Sequence, residues 1–167
     1  MKRRQLLIKT VLGAGGATMV FSSLMGKGAK ADKKTNFEVT KTPEEWQKIL
    51  TPEQYKVLRE HGTERAFTSP LDKEKRAGTF SCAGCDLPLF SSETKYDSGT
   101  GWPSFWAPLD NAVGTSTDYI LFYPRTEVHC LRCGGHLGHV FDDGPHPTGK
   151  RYCMNGVAMT FTPKAGA

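Results

Sequence analysis

No stretch of this chain is long and apolar enough to make a comfortable membrane span. Its uncharged run, Thr10–Gly26, is short and is interrupted by Gly13, Gly15, Gly16, Ser22 and Ser23, whereas a spanning helix needs about 20 mainly apolar residues. Acidic residues are missing from positions 1–31, which carry Lys2, Arg3, Arg4, Lys9, Lys27 and Lys30. The formal charge of +5 therefore lies entirely in that segment, and the remainder of the chain stands at −1. Without the segment nothing favours a nucleic-acid partner. Long helical periodicity is missing after Gly78, and with 18 glycines and 10 prolines this excludes a helical bundle. There is no internal repeat apart from two cysteine pairs, and no low-complexity tract. The length, 167 residues, allows one domain, or one domain and a tail.

The first 31 residues read as a leader. A basic start, Lys2-Arg3-Arg4, precedes the uncharged run, and Ala29-Lys30-Ala31 fits an A-x-A cleavage site before Asp32. The segment Arg3-Arg4-Gln5-Leu6-Leu7-Ile8-Lys9 resembles a twin-arginine export signal, although Lys2 stands where that signal usually has serine or threonine. An ordinary secretory signal and a retained anchor stay open. The expected organisation is an export signal at 1–31, a flexible lead-in at 32–41 and one folded domain at 42–167. The expected location is outside the cytoplasm, in a bacterial periplasm.

Thr42-Pro43-Glu44-Glu45 and Thr51-Pro52-Glu53-Gln54 each carry a cap, a proline at the first helical position and a capping-box acceptor. They predict two short helices in succession over Thr42–His61, with apolar faces formed by Trp46, Ile49 and Leu50 and by Tyr55, Val57 and Leu58. From Gly78 onward short β-type runs alternate with turn residues. The runs are Gly78–Ser81, Pro88–Phe90, Ala112–Ser116, Tyr119–Tyr123, Thr126–His129, His139–Phe141, Tyr152–Met154 and Ala158–Thr162, and their spacing suggests antiparallel sheet.

Cysteine is scarce, and the 5 present divide unequally. Cys82/Cys85 and Cys130/Cys133 form two Cys-x-x-Cys knuckles, with Gly84 and Gly134-Gly135 supplying tight turns. Two knuckles can fill all four positions around one tetrahedral ion, which makes a structural site for zinc, with iron the rarer occupant. Disulfides, favoured in an oxidising compartment, and a redox-active pair compete with that reading; two matching pairs favour zinc.

The fifth cysteine, Cys153, lies in Arg151-Tyr152-Cys153-Met154-Asn155. On a strand Arg151, Cys153 and Asn155 share one face, placing a cation and an amide beside a thiol, where a core strand would carry apolar groups. A cation lowers a thiol pKa and enriches the thiolate. His136-Leu137-Gly138-His139, directly after the second knuckle, supplies candidate proton donors. Gly101-Trp102-Pro103-Ser104-Phe105-Trp106 is either core packing or a loop holding an indole against a small ligand.

Taken together and in this order, Gly101-Trp102-Pro103-Ser104-Phe105, Gly135-His136-Leu137-Gly138-His139-Val140-Phe141, Arg151-Tyr152-Cys153-Met154-Asn155 and the two knuckles resemble the B-type methionine sulfoxide reductases, from about Pro43 to Pro163. The resemblance implies reduction of the R epimer of methionine sulfoxide, mainly in proteins and peptides. Cys153 is then the attacking thiolate, and His139, assisted by His136, protonates the departing oxygen. Arg151 and Asn155 support the thiolate, and Trp102, with Phe105, shapes the substrate pocket. The fold implied is mainly β, a β-rich α+β fold of antiparallel sheets in a tent-like or barrel-like arrangement, with short N-terminal helices outside it and one structural zinc. Many members have a resolving cysteine where this chain has Thr100, so a Cys153 sulfenic acid would be reduced by an external thiol, such as a thioredoxin-like protein. The expected assembly is a monomer without stable membrane insertion. Two other readings stay open: a cysteine hydrolase or acyltransferase using Cys153 and His139, and a non-catalytic zinc-binding module.

Overall fold

A computed structural model describes residues 37–119 and 123–166. The leader, residues 32–36 of the lead-in and positions 120–122 of the expected strand Tyr119–Tyr123 lie outside the described residues.

The two helix starts behave as their chemistry dictates. α1 (Pro43–Ile49) and α2 (Pro52–Glu60) are capped by Thr42 and Thr51, and each has a complete capping box, closed by Glu45 and Gln54 respectively. α2 ends on His61, whose left-handed backbone (φ 55°) stops the helix. Trp46, Leu50, Val57 and Leu58 are buried, but Ile49 is 54% exposed, so the apolar face of α1 is narrower than expected. Residues 37–41 are also tied down rather than loose. The Val39 N–H donates to the Arg132 carbonyl at 3.0 Å, and the Phe37 ring packs against His129 and fills the space beside Gly134.

Among the described residues nine strands follow: β1 (Gly78–Cys82), β2 (Pro88–Ser91), β3 (Lys95–Tyr96), β4 (Ser104–Phe105), β5 (Val113–Asp118), β6 (Arg125–Cys130), β7 (His136–Phe141), β8 (Arg151–Met154) and β9 (Met159–Pro163). They form a three-stranded sheet, β2-β1-β9, and a six-stranded sheet, β3-β4-β8-β7-β6-β5. All pairings are antiparallel.

The barrel-like expectation is corrected here. Both sheets are open, with β3 and β5 at the two edges of the larger one. β3 and β4 have two residues each, too few for the tilted, staggered ladder that closure requires. What joins the sheets is an aromatic core. Phe105 of β4 stacks on Phe90 of β2 at 4.3 Å between centroids and meets Phe80 of β1 edge-on at 5.0 Å. All three are fully buried.

Candidate active site and metal-binding cluster

The antiparallel register lays the chemistry-bearing residues in one row across the larger sheet. Ser104 pairs with Cys153, Cys153 with His139, His139 with Glu127, and Glu127 with Ser116. Register partners share a face, so five side chains from five strands project to one side. An irregularity in β7 adds to the row. His129 pairs with His136 while Glu127 pairs with His139, which leaves one extra residue on β7. His136 and His139, three positions apart, thus point the same way, with ring centroids 5.4 Å apart.

Cys153 is half-buried. Burial pushes its thiol up, against the lowering action of Thr100, Arg151 and Ser104. The thiolate enrichment expected from Arg151 alone is therefore outweighed by desolvation. Arg151 also divides its charge. Its guanidinium makes two 2.8 Å hydrogen bonds to Asp143 and lies 4.4 Å from the centroid of the Phe141 ring. The Thr100 hydroxyl stands 3.8 Å from the Cys153 sulfur.

Each histidine is held by a carboxylate that the sequence did not flag. His139 Nε2 meets Asp118 at 2.7 Å, and the Arg125 guanidinium meets the same oxygen at 2.6 Å. Burial lowers the His139 pKa below the usual imidazole value, opposed by its hydrogen bond to Asp118. His136 Nδ1 meets Glu127 Oε1 at 2.7 Å, and the same oxygen lies 2.9 Å from His61 Nδ1. Burial raises the Glu127 pKa, but hydrogen bonds from His136, His61 and Ser116 prevail and hold the carboxyl well below its ordinary range. Asp118 and Glu127 sit in short strands with no local signal of function; only the pairing register shows what they face.

Cys153, His139, Trp102, Asn155, Phe141 and Thr63 line a cavity of about 130 Å³. Asn155, just past β8, does not simply continue the strand face. Its side-chain carbonyl accepts the Glu64 N–H at 2.9 Å, and its amide donates to the Leu137 carbonyl at 3.0 Å. The Trp102 indole N–H donates to the Glu64 carbonyl at 3.2 Å. His136 is 2% exposed and reaches the cavity only through His139. Phe105 stands apart from the cavity, its ring committed to the Phe80–Phe90 core. A larger cavity of about 670 Å³, bounded by α2 and β9, contains none of the expected catalytic side chains.

The four knuckle cysteines converge. Cys82 and Cys133 sulfurs are 3.8 Å apart and Cys85 and Cys130 sulfurs 3.5 Å apart. Tetrahedral thiolate ligands at the usual zinc–sulfur length of 2.3 Å stand about 3.8 Å from one another, whereas disulfide sulfurs bond at about 2.0 Å. The donor set thus fits a metal ion and not two cross-links. The Cys82 carbonyl accepts the Asp86 N–H at 2.8 Å, and the Cys130 carbonyl accepts the Gly134 N–H at 2.9 Å. Arg132 crosses from the second knuckle to the Cys85 carbonyl, and Arg59 of α2 caps the Cys133 carbonyl, each at 3.2 Å. The cluster therefore draws the β1–β2 turn to the β6–β7 turn, and Arg59 ties α2 to the second of them.

A thiol paired with a carboxylate-held histidine at a tryptophan-walled cavity is equipped for nucleophilic chemistry, and similarity to known proteins makes that chemistry the redox chemistry of a thiol-dependent oxidoreductase. The model of the SelR domain family matches residues 50–163. The chain is 56% identical over 131 residues to the peptide methionine sulfoxide reductase MsrB of Pseudomonas putida (strain W619), covering 78% of this chain and 98% of that protein. It is 55% identical over 127 residues to its namesake from Leptospira interrogans, covering 75% and 97% respectively. Against the chloroplastic peptide methionine sulfoxide reductase B1 of Arabidopsis thaliana it is 51% identical over 143 residues, covering 81% and 71%. The chain belongs to the SelR/MsrB family of peptide methionine-(R)-sulfoxide reductases. That membership sets aside the hydrolase and binding-module readings.

Proposed function

We propose that the protein reduces the R epimer of methionine sulfoxide in oxidised proteins and peptides, with Cys153 as the nucleophile. The observation that carries this is the register pairing of Cys153 with His139 at the cavity walled by Trp102. The Cys153 thiolate attacks the sulfoxide sulfur, forming an S–S bond, while the oxygen takes up one proton supplied through His139 and passes to the cysteine sulfur as the S–O and S–S bonds break. The substrate sulfur gains two electrons and leaves as methionine; the cysteine sulfur loses two and becomes a sulfenic acid. Buried deep beside His139 and fixed by Glu127, His136 orients it. Trp102 packs against the S-methyl group, Asn155 fixes the floor of the cavity, and Arg151 favours the thiolate.

Recovery needs two thiols from outside. One condenses with the sulfenic acid, releasing water and leaving a mixed disulfide; the second displaces Cys153 as a thiolate. No internal thiol serves. Thr100 occupies the position against the Cys153 sulfur, and the other four cysteines face one another in the metal-binding cluster. We assign the cluster to structural zinc, which supplies folding energy and no reaction step. The domain proposed is 42–167, with a leader at 1–31 that directs export to a periplasm. There a thioredoxin-like protein is the reductant.

The test is a dithiothreitol-driven assay on separated R and S epimers of a methionine-sulfoxide peptide, using wild type and Cys153→Ser. The expected result is turnover of the R epimer alone, abolished by the substitution. No turnover of either epimer by folded, zinc-loaded protein overturns the reading.

A further inference from the structure

We propose that Phe67 is a contact for the polypeptide that carries the sulfoxide, and that it makes this enzyme favour substrates with an apolar residue close to the oxidised methionine. The proposal rests on the reductase reading above and adds a specificity-determining residue to it.

Phe67 is 66% exposed and its backbone has φ 65°. A bulky aromatic residue in the left-handed region is strained, and a phenyl ring left in water gains nothing from folding. Both costs fall on one residue, and the core does not recover them. The backbone around it is nonetheless held firmly. The Phe67 N–H donates to the Gly101 carbonyl at 2.7 Å, and the ring lies so close over Gly101 that a Cβ there would come within 2.8 Å of it. Gly101 itself has φ 86°, so this close approach is available to glycine alone.

The place of the ring gives it a role. Gly101 is flanked by Thr100, whose hydroxyl is 3.8 Å from the Cys153 sulfur, and by Trp102, a wall of the cavity. Phe67 touches the residue next to Thr100, and an extended chain advances about 3.3 Å per residue, so a few residues of a substrate chain seated at Cys153 span the gap. An apolar side chain there removes both itself and the exposed ring from water. Free methionine sulfoxide has no such neighbour and cannot use the contact.

The experiment compares kcat/KM for free N-acetylmethionine-(R)-sulfoxide with that for two peptides carrying leucine or serine on either side of the oxidised methionine. Wild type, Phe67→Asn and Phe67→Leu are measured on each. Asparagine accepts the left-handed backbone, so Phe67→Asn should melt no lower than wild type. Its leucine-peptide to free-substrate ratio should fall by about tenfold, the scale set by burying part of a phenyl ring. Phe67→Leu should fall between the two, which keeps the test decisive if asparagine disturbs the fold. Ratios within about twofold of wild type for both variants overturn the proposal and leave the reductase reading standing. Failure of wild type to turn over any of the three substrates sinks both.

Discussion

Glu64 accepts the Trp102 indole N–H on its backbone carbonyl at 3.2 Å, while its carboxylate holds the N–H groups of Gly156 and Val157. One residue thereby ties the cavity wall to the turn that leaves the Cys153 strand, and its own N–H reaches Asn155. Glu64→Gln keeps the shape but replaces a carboxylate accepting two amides with a group that has one carbonyl oxygen. A loss of about 1–3 kcal/mol in stability is expected, read by urea denaturation. KM should rise together with a fall in kcat, because Trp102 and Asn155 loosen at once. Unchanged kinetics in a destabilised variant would confine Glu64 to a structural part.

Arg151→Ala removes one of the groups that lower the Cys153 pKa while leaving the burial that raises it. The alkylation rate of Cys153 by iodoacetamide should fall at neutral pH and rejoin the wild-type rate once both thiols are fully ionised. Coincident pH profiles would show that Asp143 already neutralises Arg151 as far as the thiol is concerned.

His61 gains a carboxylate partner on folding, and that hydrogen bond to Glu127 raises its pKa against the lowering effect of burial. The folded state therefore holds the proton more tightly than the unfolded chain. Stability from this group is fully present below the ordinary imidazole pKa near 6.5 and is lost as pH rises through the higher folded value. The difference in unfolding free energy between wild type and His61→Gln should shrink across that window, measured by denaturant titration at a series of pH values. A difference that grows with pH would reverse the assignment.

Cys130→Ser breaks the four-sulfur cluster, and structural zinc contributes on the order of 10 kcal/mol in small domains. The variant should lose its metal, measured by elemental analysis, and its cooperative thermal transition. A metal-free variant with a wild-type melting curve would show that the cluster is dispensable for folding.

The helices were legible because their start signals are local. Thr42 with Glu45 and Thr51 with Gln54 act over three residues, and nothing distant competes with them. The knuckles were legible for the same reason. Strand pairing was harder. β3 and β4 are too short for a periodic signal, and the two-residue β4 is recognisable only through its pairing with β8. Asp118, Glu127 and Glu64 were missed because a carboxylate in a short strand or loop looks like any solvated charge until the register brings a histidine or a backbone amide to it. Phe105 shows the converse. Its place in the Gly101–Phe105 motif that carries the resemblance suggested the pocket, yet adjacent strand residues face opposite sides, and the one that follows Ser104 belongs to the core. Thr100 illustrates a third case, in which a departure in sequence acquires meaning only from what it touches.

The extra residue in β7 is Leu137, and its main chain has left the β6 ladder. Its carbonyl faces β8 instead and takes both donors of Asn155, the backbone N–H at 2.8 Å and the side-chain amide at 3.0 Å. One irregular step thus turns His136 toward His139 and opens a socket for the amide across the cavity. Deleting Leu137 would retain every side chain that the chemistry calls for and restore a more regular sheet. It would also rotate one histidine away and leave Asn155 without its seat, so in this strand greater order would mean less enzyme.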